Sequence, residues 1–171
     1  MSGENQSQDT KQLSIEERLG KIDLLLQEYE SGLGIPKTFK INTQDVEGYL
    51  QMSRDELKIL DMEECAEISF ALSQASFYIQ KESNKERAKF NWADAQINGI
   101  IASKVSEYKG ASFEERKLKA ISDNSATMTL NKIKVNAKLR IDRLDGISQQ
   151  IQFMSKSIND LKFAKRANQN G

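Results

Sequence analysis

An all-α fold, drawn out into a long antiparallel helical hairpin of coiled-coil character with a small N-terminal helical region, is what this sequence predicts. Three observations carry the prediction. Two helical stretches, from about Met62 to Tyr108 and from about Phe113 to Arg166, are each several times an ordinary helix. At ~1.5 Å rise per residue they would measure ~70–80 Å. A short glycine-containing turn, Lys109-Gly110-Ala111-Ser112, separates them and so folds one back on the other. The composition agrees: 29% of the 171 residues are charged and there is one proline, which leaves long helical segments uninterrupted. A hairpin this thin buries little of itself, so self-assembly or a large partner is expected.

The elements follow in order. Residues 1–12 are polar and aperiodic and read as a disordered tail. Residues 13–60 form an acidic N-terminal helical region with a linker. Ser14 and Glu17 have capping-box spacing, and Ile15, Leu19, Ile22, Leu25, Leu26 and Tyr29 recur at helical intervals, predicting an amphipathic helix that ends near Tyr29. Gly32, Gly34 and Pro36 then break it: glycine costs backbone entropy and proline lacks the amide donor. Thr38–Ile41 reads as a short extended piece, and Thr43 as the cap of a turn or two running through Leu50. Ser53 with Glu56, and Asp61 with Glu64, repeat the capping-box spacing, the second pair opening the hairpin of residues 61–171.

In the first arm Cys65, Ile68, Leu72, Ala75 and Ile79 alternate by threes and fours. The stripe lapses through 80–89 and resumes at Phe90, Ala93, Ile97, Ile100 or Ile101, and Tyr108. The second arm opens on another capping-box spacing, Ser112 with Glu115, and weakens at Ser122-Asp123-Asn124-Ser125, a candidate kink. Beyond it a heptad runs through Leu130, Ala137, Leu144, Ile151 and Ile158, flanked by Ile133, Arg140, Ile147, Met154 and Leu161. Arg140 interrupts that seam; either it sets register or it faces an opening in the bundle. Antiparallel folding about residue 111 places residue i near 222 − i.

The residue inventory excludes several function classes. The chain has no histidine, one cysteine, and no phosphate-binding or nucleophile-elbow motif, which argues against an enzyme and implies no cofactor and no metal site. No apolar run approaches the ~18 residues of a membrane span and no signal-peptide pattern is read, so the expected partners do not include a membrane and the expected location is the cytoplasm, the host's if the protein is viral. The net charge of zero hides an asymmetry. Residues 1–60 carry 7 basic and 11 acidic side chains, residues 61–111 carry 6 and 8, and residues 112–171 carry 12 and 6.

Two surfaces are candidates for binding. Lys81, Lys85 and Lys89 recur every four residues, with Trp92 near the same face one turn on. Ammonium groups suit phosphates and an indole suits an unpaired base. The ordinary explanation stands beside this one: Glu82 with Lys85 and Glu86 with Lys89 are helix pairs, and Trp92 is a packing residue. The second surface is the turn, Lys104-Val105-Ser106-Glu107-Tyr108-Lys109-Gly110. Here too a lysine near a helix end complements the dipole, and glycine terminates helices.

At Lys104, Tyr108 and Gly110 the chain resembles the phage recombination mediator family of the UvsY type, in which a long helix ends on a basic residue, tyrosine and glycine before a short turn and a second long helix. The shared layout runs from about Asp61 to the C-terminus. Ala102 and Glu107 stand where that family usually has a further basic residue and often an aromatic. The resemblance implies a ring-like homo-oligomer that binds single-stranded DNA and helps a RecA-like recombinase displace single-strand-binding protein. It also implies that Lys104, with Lys81, Lys85, Lys89 and Lys109, neutralises phosphates while Tyr108 or Trp92 stacks on bases. The acidic N-terminal region would dock a protein partner. The alternative reading is a phage structural, scaffold or assembly-chaperone protein built on the same hairpin.

Overall fold

A computed structural model describes residues 14–35, 42–102, 104–110 and 112–169, residues 168 and 169 without their side chains. Among them are six α-helices and no strand, the all-α fold expected. The N-terminal tail, Pro36 and the extended piece expected at Thr38–Ile41 lie outside the described residues. The chain divides into two units, Met1–Lys37 and Thr38–Gly171.

The described part of the first unit is one helix, α1 (Ile15–Gly32). Ser14 Oγ accepts the Glu17 amide at 3.1 Å while the Glu17 carboxylate takes the Ser14 amide at 2.7 Å, the reciprocal box the spacing predicted. The helix runs three residues past Tyr29 and stops where Gly34 takes φ 71°, a left-handed conformation that glycine adopts without a side-chain clash.

The second unit holds the hairpin. Its base is formed by α2 (Thr43–Gln51) and α3 (Arg54–Ile59), its arms by α4 (Met62–Ile101) and α6 (Ser125–Gln169), with α5 (Phe113–Ser122) between them. Asn42 rather than Thr43 caps α2, accepting the Gln44 amide at 3.2 Å. Full capping boxes start α3 at Ser53 and α4 at Asp61. At Ser112 the hydroxyl accepts the Glu115 amide, but the Glu115 carboxylate turns to Lys119 instead of closing the box.

The first arm ends earlier than expected, and the second is interrupted at the candidate kink. The first arm stops at Ile101, seven residues before Tyr108, and passes through a turn and a short 3₁₀ segment, Val105–Glu107. The second arm is broken at Asp123–Asn124, where Asn124 Oδ1 accepts the Ala126 and Thr127 amides at 2.9 and 3.2 Å. Asparagine offers the backbone this local alternative to a continuous helix. Buried Thr127 locks the break by donating to the carbonyls of Ile121 and Asn124.

Packing of α4 on α6 has three zones. At the base, Leu60, Cys65, Ile68, Leu72 and Ala75 meet Ile151 and Ile158, with Val46, Tyr49, Met52 and Leu57 of the base helices against them. Toward the turn, Ala93, Ile97 and Ile101 on α4 are buried, as are Ala120, Ile121, Leu130, Ala137 and Ile141 on α5 and α6. Between them the seam is polar. Ser69 and Ser73 bond Ser155, Ser76 bonds Ser148 at 2.8 Å, and the Ser83 hydroxyl donates to Asp145 at 2.7 Å. Ser69, Ser76 and Ser83 on α4 and Ser148 and Ser155 on α6 repeat every seven residues and occupy seam positions. Within 80–89, where the apolar stripe lapses, the buried residues are Lys81 and Ser83.

The expected heptad flank at Ile133, Arg140 and Ile147 is therefore corrected. Arg140 and Ile147 are exposed, Ile133 is half-buried, and the second seam runs through Thr127, Ile141, Ser148 and Ser155. Arg140 neither fills the seam nor faces an opening; its Nε donates to Glu86 at 2.6 Å on the rim. The arm register shifts too: Glu86 pairs with Arg140 and Asp94 with Lys134, each a few residues beyond the simple 222 − i rule, because the fold-back includes the 3₁₀ segment and α5 rather than a symmetric turn at residue 111.

Candidate nucleic-acid interface

The two candidate surfaces arrive in different environments. On the arm, Lys81 is buried, with 7% of its surface exposed. Lys85 is held by Glu82 at 2.7 Å and Lys89 by Glu86 at 3.2 Å, both lysines largely covered. Trp92 is half-buried. Around them the neighbouring charges are mutually engaged: Arg140 with Glu86, Arg87 with Asp145, Lys134 with Asp94 at 2.6 Å. Lys134 also stands 5.5 Å from the centre of the Phe90 ring, a cation–π contact. Two of the carboxylates titrate below the ordinary range. Asp94 is lowered chiefly by the hydrogen bond from Lys134, and Asp145 chiefly by the one from Ser83 with Arg87 adding to it. Both therefore remain anionic partners, and the helical spacing of the three lysines places them among neutralised pairs.

The turn is built differently. The α4 helix ends with the Ala102 amide donating to Asn98, after which the Lys104 amide donates to the Ile101 carbonyl at 2.9 Å and the Glu107 amide to the Lys104 carbonyl at 3.0 Å. The Lys104 side chain is exposed. Tyr108 is extended and half-buried. Its hydroxyl meets the Asp123 carboxylate at the end of α5, and partial burial, with that carboxylate, pushes the phenol up from its ordinary pKa. This contact ties the turn to the break between α5 and α6. Lys109 is exposed, while its carbonyl accepts the Lys119 ammonium at 2.8 Å. Lys119 is also paired with Glu115 at 2.9 Å. Neither Lys104 nor Lys109 has an ion pair among the described residues.

Gly110 has a packing role. A Cβ there would sit 3.1 Å from Arg116 Cγ and 3.2 Å from the Glu115 carboxyl carbon, so the hydrogen side chain lets the α5 side chains lie over the turn. Arg116 thereby joins the turn. It was passed over in the sequence, where it is one residue in a run of mixed charge. The end of the hairpin thus gathers Lys104, Lys109 and Arg116 beside Tyr108, whereas Lys81, Lys85, Lys89 and Trp92 lie back along the arm.

The rest of the surface is marked by large apolar groups. Phe70, Phe77 and Tyr78 on α4 and Leu139, Phe153 and Phe163 on α6 are exposed. No group of histidine, cysteine and carboxylate side chains that could hold a metal ion occurs among the described residues, and no described helix is long and apolar enough to cross a membrane. No family model, curated protein or solved structure matches the chain.

Proposed function

We propose that the chain is a recombination mediator of the phage type: a homo-oligomeric helical hairpin that binds single-stranded DNA and helps load a RecA-like recombinase against single-strand-binding protein. The observation that carries this reading is the hairpin end, where Lys104 and Lys109, on either side of Tyr108, are exposed and have no ion pair among the described residues. An unpaired surface lysine exchanges only water and counterions when it meets a phosphate, whereas one already bonded to a carboxylate must give up that partner. The arm lysines are of the second kind, so the reading places the phosphate contacts at the turn. The test is binding of a fluorescent single strand over a salt series. Affinity should fall linearly in a log–log plot; absence of binding at low salt would refute the reading.

A second reading, a structural or assembly scaffold, is favoured by the exposed aromatic residues on both arms, since extended apolar patches mark interfaces. In the mediator reading Phe70, Phe77 and Phe163 close the homo-oligomer. The acidic N-terminal region remains a docking element for a protein partner in either case.

A further inference from the structure

One flank of the hairpin carries a groove that no charge pattern in the sequence announces. Two adjoining depressions share Gln149. The larger, about 450 Å³, is lined by Gln80, Asn84 and Arg87 of α4 and by Asp145, Ser148 and Gln149 of α6. The smaller, about 230 Å³, is lined by Gln149, Gln152, Phe153 and Lys156. The carboxamides of Gln80, Asn84, Gln149 and Gln152 make no hydrogen bond among the described residues. Phe153 is 71% exposed, and Lys156 has no ion pair among the described residues.

The chemistry of this lining selects a ligand. Arg87 and Asp145 neutralise each other, so the larger depression carries no net charge and does not attract a phosphate. Its unused amides each offer a donor and an acceptor, which suits the hydrogen-bonding edge of an unpaired base. Beside it the Phe153 ring offers a stacking face, and Lys156, three residues along the same helix, offers one cation for the backbone. Amide, aromatic and ammonium thus occur in the order that edge, face and phosphate require. We propose that the groove is a base-docking site for single-stranded nucleic acid, with Phe153 stacking, Asn84 and Gln149 contacting base edges, and Lys156 holding the adjoining phosphate. This rests on the single-strand binding proposed above and adds to it a second contact, distinct from the turn and carrying base contacts that the turn's lysines do not.

The experiment compares an oligothymidylate with a strand of the same length made of abasic nucleotides, using full-length protein and fluorescence anisotropy. Phe153→Ala should weaken binding of the thymidylate by about tenfold, leave the abasic strand unaffected and leave the salt slope unchanged. The Asn84→Ala, Gln149→Ala double variant should likewise weaken only the base-bearing strand. Lys156→Ala should weaken both strands and flatten the salt slope by ~0.7. Exposure of Phe153 makes its replacement compatible with folding, which circular dichroism verifies. If wild-type protein binds the strands and Phe153→Ala binds both as wild type does, the groove assignment is wrong and single-strand binding stands. If Phe153→Ala instead changes the particle mass in light scattering while DNA affinity holds, the groove is a contact between protein chains and the assignment is again wrong. If wild type binds neither strand, the functional reading fails and the groove assignment falls with it.

Discussion

The buried Ser76–Ser148 pair gives the sharpest test of the hairpin. The two residues are 72 apart in sequence and meet only if the arms pack in the register described. Their hydroxyl oxygens lie 2.8 Å apart, and each also lies 3.3 Å from the other residue's carbonyl. A hydroxyl has one proton, so two of these approaches are hydrogen bonds at a time: one between the hydroxyls and one from a hydroxyl to a carbonyl. Ser76→Ala removes the first and leaves Ser148 its carbonyl acceptor, costing ~1 kcal/mol, the net value of a typical intramolecular bond. Ser148→Ala should cost about the same. The double variant removes both hydroxyls of this pair and with them both bonds, so its cost should lie near the sum of the singles, ~2 kcal/mol. With a urea slope near ~2 kcal/mol/M, each single variant moves the midpoint by ~0.5 M. Urea titrations at one fixed protein concentration measure this, with Ser157→Ala, whose hydroxyl bonds its own helix, as a neutral control. Singles as neutral as the Ser157→Ala control would refute the register.

Other expectations rest on separate features. Cys65 is fully buried in the base core, and burial raises its thiol from the ordinary pKa, so a thiol reagent should label it only after urea unfolds the hairpin; immediate labelling of native protein would contradict the core assignment. Asp94 and Asp145 have folded pKa values below their unfolded ones, so the stability they add is present above the ordinary carboxylate range and is lost as pH falls through the folded values. The melting temperature should therefore drop below about pH 4, and drop less in Asp145→Asn. Light scattering should give a particle larger than one chain at micromolar concentration; a monomer would count against the role given to Phe70, Phe77 and Phe163.

What the sequence made legible follows from the range of the interactions. Capping boxes at Ser14, Ser53 and Asp61 are contacts between residues three apart, and each formed as its spacing implied. The 3-4 stripe through Cys65, Ile68, Leu72 and Ala75 is local in the same sense and is buried. The serine seam was not legible, because a hydrophobic pattern scores Ser76, Ser83, Ser148 and Ser155 as surface, and only the facing arm supplies their partners: Ser148 for Ser76, Asp145 for Ser83 and Ser69 for Ser155. The early end of α4 escaped for a related reason: Ile97, Ile100 and Ile101 continue the stripe toward Tyr108, while the contact Tyr108 makes with Asp123 is tertiary. At the candidate site, the periodicity of Lys81, Lys85 and Lys89 was correct as spacing but carried no information about what covers those side chains. The larger depression at Gln149 was invisible because its walls come from both arms.

The central claim is that single-stranded DNA is held by the lysines of the hairpin end, and paired replacements test it most directly. Lys104→Ala with Lys109→Ala should weaken binding to every single strand alike, since phosphate contacts carry no base information. The same variant should flatten the log–log salt dependence by ~0.7 for each lost contact. Lys85→Ala with Lys89→Ala, which removes lysines already bound to Glu82 and Glu86, should leave both affinity and slope near wild type. The opposite pattern, with binding lost in the arm variant and unchanged in the turn variant, would contradict the account.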